Sequence, residues 1–213
     1  MQTSRRRAGI ALLVFTLGTF AAFTLASTPA GNYDLSQIHN YLAPGARPAI
    51  FAGALLGILA ALALLYYLSA LRAELPPGRG RDLLWGSGIA AAATAATGWM
   101  MAASVPLAYA EGGGHVSLTP SVVYALGVVS AGMVYGPAML FAGVAVIIAA
   151  RQLAGAPRWW RALSYAGGIC AILSLAFFPF YLFALYCLIV GVWGLLAKGR
   201  PVTAPAREPV TAI

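Results

Sequence analysis

Charge is what this chain has least of. Only 8% of its 213 residues are Asp, Glu, Lys or Arg, where an ordinary soluble domain carries about 25%. A chain that is 61% hydrophobic, with a mean hydropathy of +0.84, has too little polar sequence to wrap such a core in water. The long apolar stretches contain no Asp, Glu, Lys, Arg or His. Proton relays, ion pathways and voltage sensors need ionisable side chains at membrane depth, so ion-coupled transport is disfavoured. Bis-histidine haem ligation within a bilayer is excluded for the same reason. Cysteine is also scarce. Cys170 and Cys187 form neither a CxxC pair nor a disulfide framework, and both read as small apolar side chains. Gly86-Ser87-Gly88 has no buried histidine to act as base for a nucleophilic serine, which leaves helix packing as its reading. Arg79-Gly80-Arg81 lacks the spacing of a phosphate loop. No cofactor is expected.

What the chain has in abundance is long apolar runs. The stretch 162–197 lies between Arg158/Arg161 and Lys198/Arg200, carries no charge, and is interrupted at Phe177-Phe178-Pro179-Phe180. As one helix it would be roughly 54 Å long, far more than the ~30 Å of a hydrocarbon core. As two arms of about 17 residues it makes a membrane hairpin turning at Pro179, whose missing N–H breaks a helix. Five further features order the rest. An apolar segment at 8–27 follows Arg5, Arg6 and Arg7 and is too long for a signal-peptide core, so it reads as a retained span. The polar loop 28–48 contains Leu35, Ile38 and Leu42 at helical spacing, predicting a short surface helix capped by Asn32 or Asp34 and ended by Pro44-Gly45. The second span, 49–71, carries a Gly53, Gly57, Ala61 row for close helix approach, with Tyr66 and Tyr67 marking the interface. The third, 83–107, is rich in small residues (Ala90, Thr94, Gly98) and is expected at the centre of the bundle. The fourth, 121–150, has a Gly132/Gly136 row and a bend at Pro137.

These runs predict an all-α, polytopic transmembrane helical bundle. It forms one domain, 1–197, with six spans (8–27, 49–71, 83–107, 121–150, 162–178 and 180–197) and a polar, disordered tail at 198–213. The net charge of +8 sits in short clusters at span ends, the positive-inside pattern and not a nucleic-acid groove. Six spans with both termini cytoplasmic place twelve of the 13 Lys and Arg inside and Arg47 alone outside. Five spans would move Lys198, Arg200 and Arg207 across and spoil that bias. The expected location is the cell membrane, and the expected partners are membrane lipids and another membrane protein or a second copy docking on small-residue faces.

One constellation of metal-ligating types falls on the outer loops: His39, His115, Asp34 and Glu111. Two imidazoles and two carboxylates suit Zn²⁺ if the loops converge. Gly112, Gly113 and Gly114 deny Glu111 and His115 a shared helical face. Within the spans, Thr94, Thr97, Ser104 and Ser130 are expected to bond to carbonyls of their own helices, or to line a small cavity with Tyr124 or Tyr135.

Arg5-Arg6-Arg7-Ala8-Gly9, Leu68-Ser69-Ala70-Leu71-Arg72, Pro157-Arg158-Trp159-Trp160 before Gly167-Gly168, and Gly191-Val192-Trp193 together resemble a diffuse group of uncharacterised bacterial six-span integral membrane proteins, grouped as a domain of unknown function. The resemblance implies a helical membrane bundle and brings no catalytic residues. The leading functional expectation is a non-catalytic accessory, packing or membrane-organising protein. The alternatives are a binder of a small apolar or lipid molecule, and an enzyme using the outer His/acid set.

Overall fold

The computed structural model describes residues 2–112, 118–153 and 155–196, with side chains from Arg5 onward. Among these residues every regular element is helical: α1 (Gln2–Ala26), α2 (Leu35–Leu42), α3 (Arg47–Glu74), α4 (Arg79–Glu111), α5 (Pro120–Met133), α6 (Met139–Gln152), α7 (Arg158–Ile172) and α8 (Phe178–Leu196). Five stretches are long and apolar enough to cross a membrane: Arg5–Ala26, Pro44–Glu74, Arg79–Glu111, Pro120–Gln152 and Phe178–Leu196. The tail 198–213, Gly113, Gly114 and His115 lie outside the described residues.

The long helices close into a ring. α1 packs on α3, α3 on α4, α4 on α6, α6 on α7, α7 on α8, and α8 returns to α1. Inside the ring lie Leu12, Leu64, Leu68, Met139, Phe183 and Tyr186. Outside, Leu17, Leu55, Leu59, Leu62 and Leu185 are exposed, a distribution that suits an apolar surrounding medium.

Two glycine seams set the tightest crossings. A Cβ on Gly143 would lie 2.4 Å from the Gly168 carbonyl oxygen, and one on Gly9 would lie 2.7 Å from that of Gly191. Backbones can touch only because neither glycine has a side chain. The row on the second predicted span behaves as expected: Gly53 abuts Ala22 and Ala26 of α1, and Gly57 abuts the Trp99 ring. Gly132 and Gly136 do not form a comparable row. Gly132 faces open space and Gly136 meets only Leu175, while the close contacts of this segment are Gly127 on Pro29 and Gly143 on α7.

The prolines explain the irregular turns. Pro137 sits in a single π turn, Val134–Ala138, which joins α5 to α6 without a loop. An added residue in that turn relieves the ring's clash with the preceding carbonyl. Pro106 stays inside α4, which runs on to Glu111. The carbonyl that Pro106 leaves without an intrahelical N–H is that of Ala102, and the Tyr41 hydroxyl of α2 donates to that oxygen. The helix therefore continues past its proline because another element caps the gap. The hairpin turns two residues before its expected place. A 3₁₀ turn, Leu173–Ala176, leads to Phe177 at φ 66°, and Pro179 lies in the first turn of α8. Proline fits there because a first-turn N–H has no helical partner to lose.

α2 exists as the spacing predicts, with Asp34 as its cap: the carboxylate accepts from the Ser36 amide at 2.8 Å. Of its expected apolar set, Ile38 and Leu42 pack inward and Leu35 does not. Ile38 and Tyr41 are buried against Ile50, Val105 and Val123, while Leu35 is exposed. The hydroxyl that must reach Ala102 fixes the rotation of so short a helix.

Candidate functional site

The spans bury few polar side chains, so those that gather are informative. Where α1, α3, α7 and α8 meet, Thr16, Tyr67, Ser164, Tyr186 and Cys187 are all at most 4% exposed. Each is placed by its neighbours. Gly167 offers no side chain, so the Tyr186 ring lies directly on α7, where a Cβ would approach its Cγ to 2.5 Å. That seat brings the Tyr186 hydroxyl within 3.3 Å of Ser164 Oγ, one turn earlier. Thr16 Oγ1 donates to the Leu12 carbonyl at 2.9 Å, and the Cys187 thiol lies beside it. Tyr67 stands next to Tyr186 and Cys187, its hydroxyl facing that of Tyr186, yet it makes no well-formed hydrogen bond with any protein group.

Tyr67 also lines a cavity of about 60 Å³, with Gly9, Trp160, Val190, Gly194, Arg5 and Glu74, although its hydroxyl has no surface open to that space. Arg5 Nε lies 3.8 Å from Glu74 Oε1, both side chains well exposed, so the pair contributes little stability. The gathered hydroxyls form a closed polar knot in the core. It brings together no acid, base and reachable nucleophile, since the thiol is wholly enclosed.

A second gathering is aromatic. Phe23 stacks on Tyr135 at 4.7 Å and 4°, and packs on Trp99 at 4.6 Å. Phe180 and Phe177 meet the same tyrosine edge-on at 5.0 and 5.1 Å. The π turn carries Tyr135 into this cluster, and the left-handed Phe177 closes it. Both are dispersion and quadrupole contacts, and they brace the two irregular turns against each other.

Asp34, His39 and Glu111 are placed on the structure's surface. The Asp34 carboxylate is committed to Ser36, whose hydroxyl and amide hold it below the usual aspartate range. His39 is exposed on α2, and Glu111 ends α4. Among the described residues no three His, Cys, Asp or Glu side chains gather as a metal ion would require; His115 is outside them. The intramembrane hydroxyls divide. Thr94, Thr97 and Ser104 bond back to their own helix as expected. Ser130 instead crosses to the Gly98 carbonyl at 2.9 Å, and Tyr124 reaches the Gly31 carbonyl at 2.6 Å. Tyr67, read from the sequence as an interface marker, belongs to the core. The missed signal was Tyr186, a tyrosine in mid-span, which needs a buried partner for its hydroxyl.

No family model, curated protein or solved structure matches the chain.

Proposed function

We propose that the chain is a multi-pass protein of the cell membrane, crossing six times with both termini cytoplasmic. In this reading it is a non-catalytic accessory or organising protein for another membrane protein, within the helical membrane bundle that the resemblance to bacterial six-span proteins implies. Support for the sixth crossing comes from α7. Its 15 residues and the 4 of the following 3₁₀ turn rise roughly 30 Å together, about one hydrocarbon thickness. Its place as a stave of the closed ring points the same way, as does the basic bias of twelve against one.

The observation that carries the accessory role is how α4 divides its small residues. One row, Gly88, Ala91, Ala95 and Gly98, is buried against the other helices. A second, Ala93, Thr97 and Ser104, is exposed on the opposite side, where Ile89 and Met100 stand among them as larger knobs. Small side chains waste lipid contact, whereas they let a neighbouring helix come close. With no ionisable side chain at mid-span, packing is what that face offers.

A photo-crosslinking residue at Ala93 or Thr97, compared with one at the exposed Leu62 of α3, tests this. A discrete adduct to a different protein from the α4 positions alone is the expected result. No adduct, an adduct only to a second copy, or turnover by the purified monomer would overturn the accessory role.

A further inference from the structure

A shallow groove of about 560 Å³ opens where α4 faces α6. It is lined by Arg79, Asp82, Leu83, Gly86, Ser87 and Ala90 of α4, the two charged residues lying in that helix's first turn, and by Phe141 of α6. A Cβ on Gly86 would meet nothing within 4 Å, so the groove is open there and not merely covered by a mobile neighbour. Arg79 and Asp82 are three residues apart, on one side of the first turn of α4. They do not close on each other: the ion pair found among the described residues is Arg5 with Glu74. One cation and one anion therefore remain available in the groove. Ser87 also keeps its hydroxyl free of protein partners among the described residues, while Thr94 and Thr97 each donate to a carbonyl one turn back. Trp85 lies at the same end of α4 with the Arg72 guanidinium 5.1 Å from its ring, as side chains do at headgroup level.

We infer that this groove binds a diacyl phosphatidylethanolamine. The charges are complementary in number and sign. The phosphodiester meets Arg79, the primary ammonium meets Asp82, and an ester carbonyl accepts from Ser87. One acyl chain then lies over Gly86 and Ala90 against Phe141. An anionic lipid without an amine would place its charge beside Asp82 with nothing to offset it. A choline headgroup carries the cation but has no N–H to donate to the carboxylate. The inference rests on the membrane reading and adds to it a ligand, a site and a selectivity.

Native mass spectrometry of the full-length protein in detergent, titrated with phosphatidylethanolamine, phosphatidylcholine and phosphatidylglycerol, tests it. Phosphatidylethanolamine should be retained about threefold better than phosphatidylcholine, the scale of one exposed charge-assisted contact. Asp82→Asn should bring the two to equality, Arg79→Gln should weaken all three lipids, and Gly86→Leu should remove the bound lipid. Open space at Gly86 lets that variant fold, and an unchanged melting temperature would verify it. Equal retention by the unsubstituted protein, or a preference surviving Asp82→Asn, would overturn the assignment. So would a Gly86→Leu protein that keeps its lipid. Recovery of the chain without detergent would instead overturn the membrane reading beneath it.

Discussion

Replacing Tyr41 by Phe removes a single oxygen, and its consequence depends on a proline sixty-five positions away. Pro106 cannot donate to the Ala102 carbonyl, and the Tyr41 hydroxyl does so in its place. Tyr41 is 2% exposed, so water cannot reach the carbonyl once the hydroxyl is gone. The loss is then a hydrogen bond plus an unsatisfied buried acceptor, about 1–3 kcal/mol in all. Pro106→Ala restores an N–H able to reach Ala102 from within α4. In that background Tyr41→Phe should cost only about 0.5–1 kcal/mol, leaving a coupling of about 1–2 kcal/mol. Reversible unfolding in bicelles, by steric trapping, measures all four corners of the cycle. Additive losses, or a single loss below about 0.5 kcal/mol, would refute the capping argument.

Gly167→Ala drives a Cβ into the Tyr186 ring and should destabilise the fold by about 1–3 kcal/mol; unfolding equal to that of the unsubstituted protein would contradict the seat described for that ring. Tyr67→Phe should be nearly neutral or cost under about 1 kcal/mol, because its hydroxyl has no well-formed hydrogen bond to lose, as the same unfolding assay checks. Asp34 is held below its ordinary value of 3.8 by Ser36, so its capping contribution is present above that pH and disappears as pH falls through the lower folded value. Amide protection factors in α2, corrected for the pH dependence of intrinsic exchange, should therefore fall on acidification below about pH 4, and Asp34→Asn should remove most of that dependence.

Much of this architecture was legible because its strongest signals are local. An uninterrupted apolar run bounded by arginine can do little but form a buried or spanning helix, so the positions of α1, α3, α4 and the α5–α6 rod emerged within a few residues. Pro137 announced the irregular turn between α5 and α6. The interior was less legible, since which side of an all-apolar helix faces inward leaves no periodic trace. Tyr67 and Tyr66 are adjacent, and only the packing of α3 on α1 decides that Tyr67 turns inward while Tyr66 is exposed. Ser130 was assigned to its own helix because back-bonding is the default; its actual partner, Gly98, is reached only because α4 and α5 approach so closely there. The hairpin turn slipped from Pro179 to Phe177 because proline marks where a helix starts as readily as where one stops. Among the candidate ligands, Asp34 shows why loop chemistry is hard to read. A carboxylate beside Ser36 first satisfies its own backbone, and donor type alone says nothing of where loops go.

The central claim is an even number of crossings, with α7 and its 3₁₀ turn counted as one. Reporters that are active only in the cytoplasm, fused before Met1 and after Ile213 in separate copies, address it directly. With six crossings, both fusions are active in intact cells and both remain with the membrane fraction. Activity at one end alone, or either fusion recovered from the soluble fraction without detergent, would contradict it.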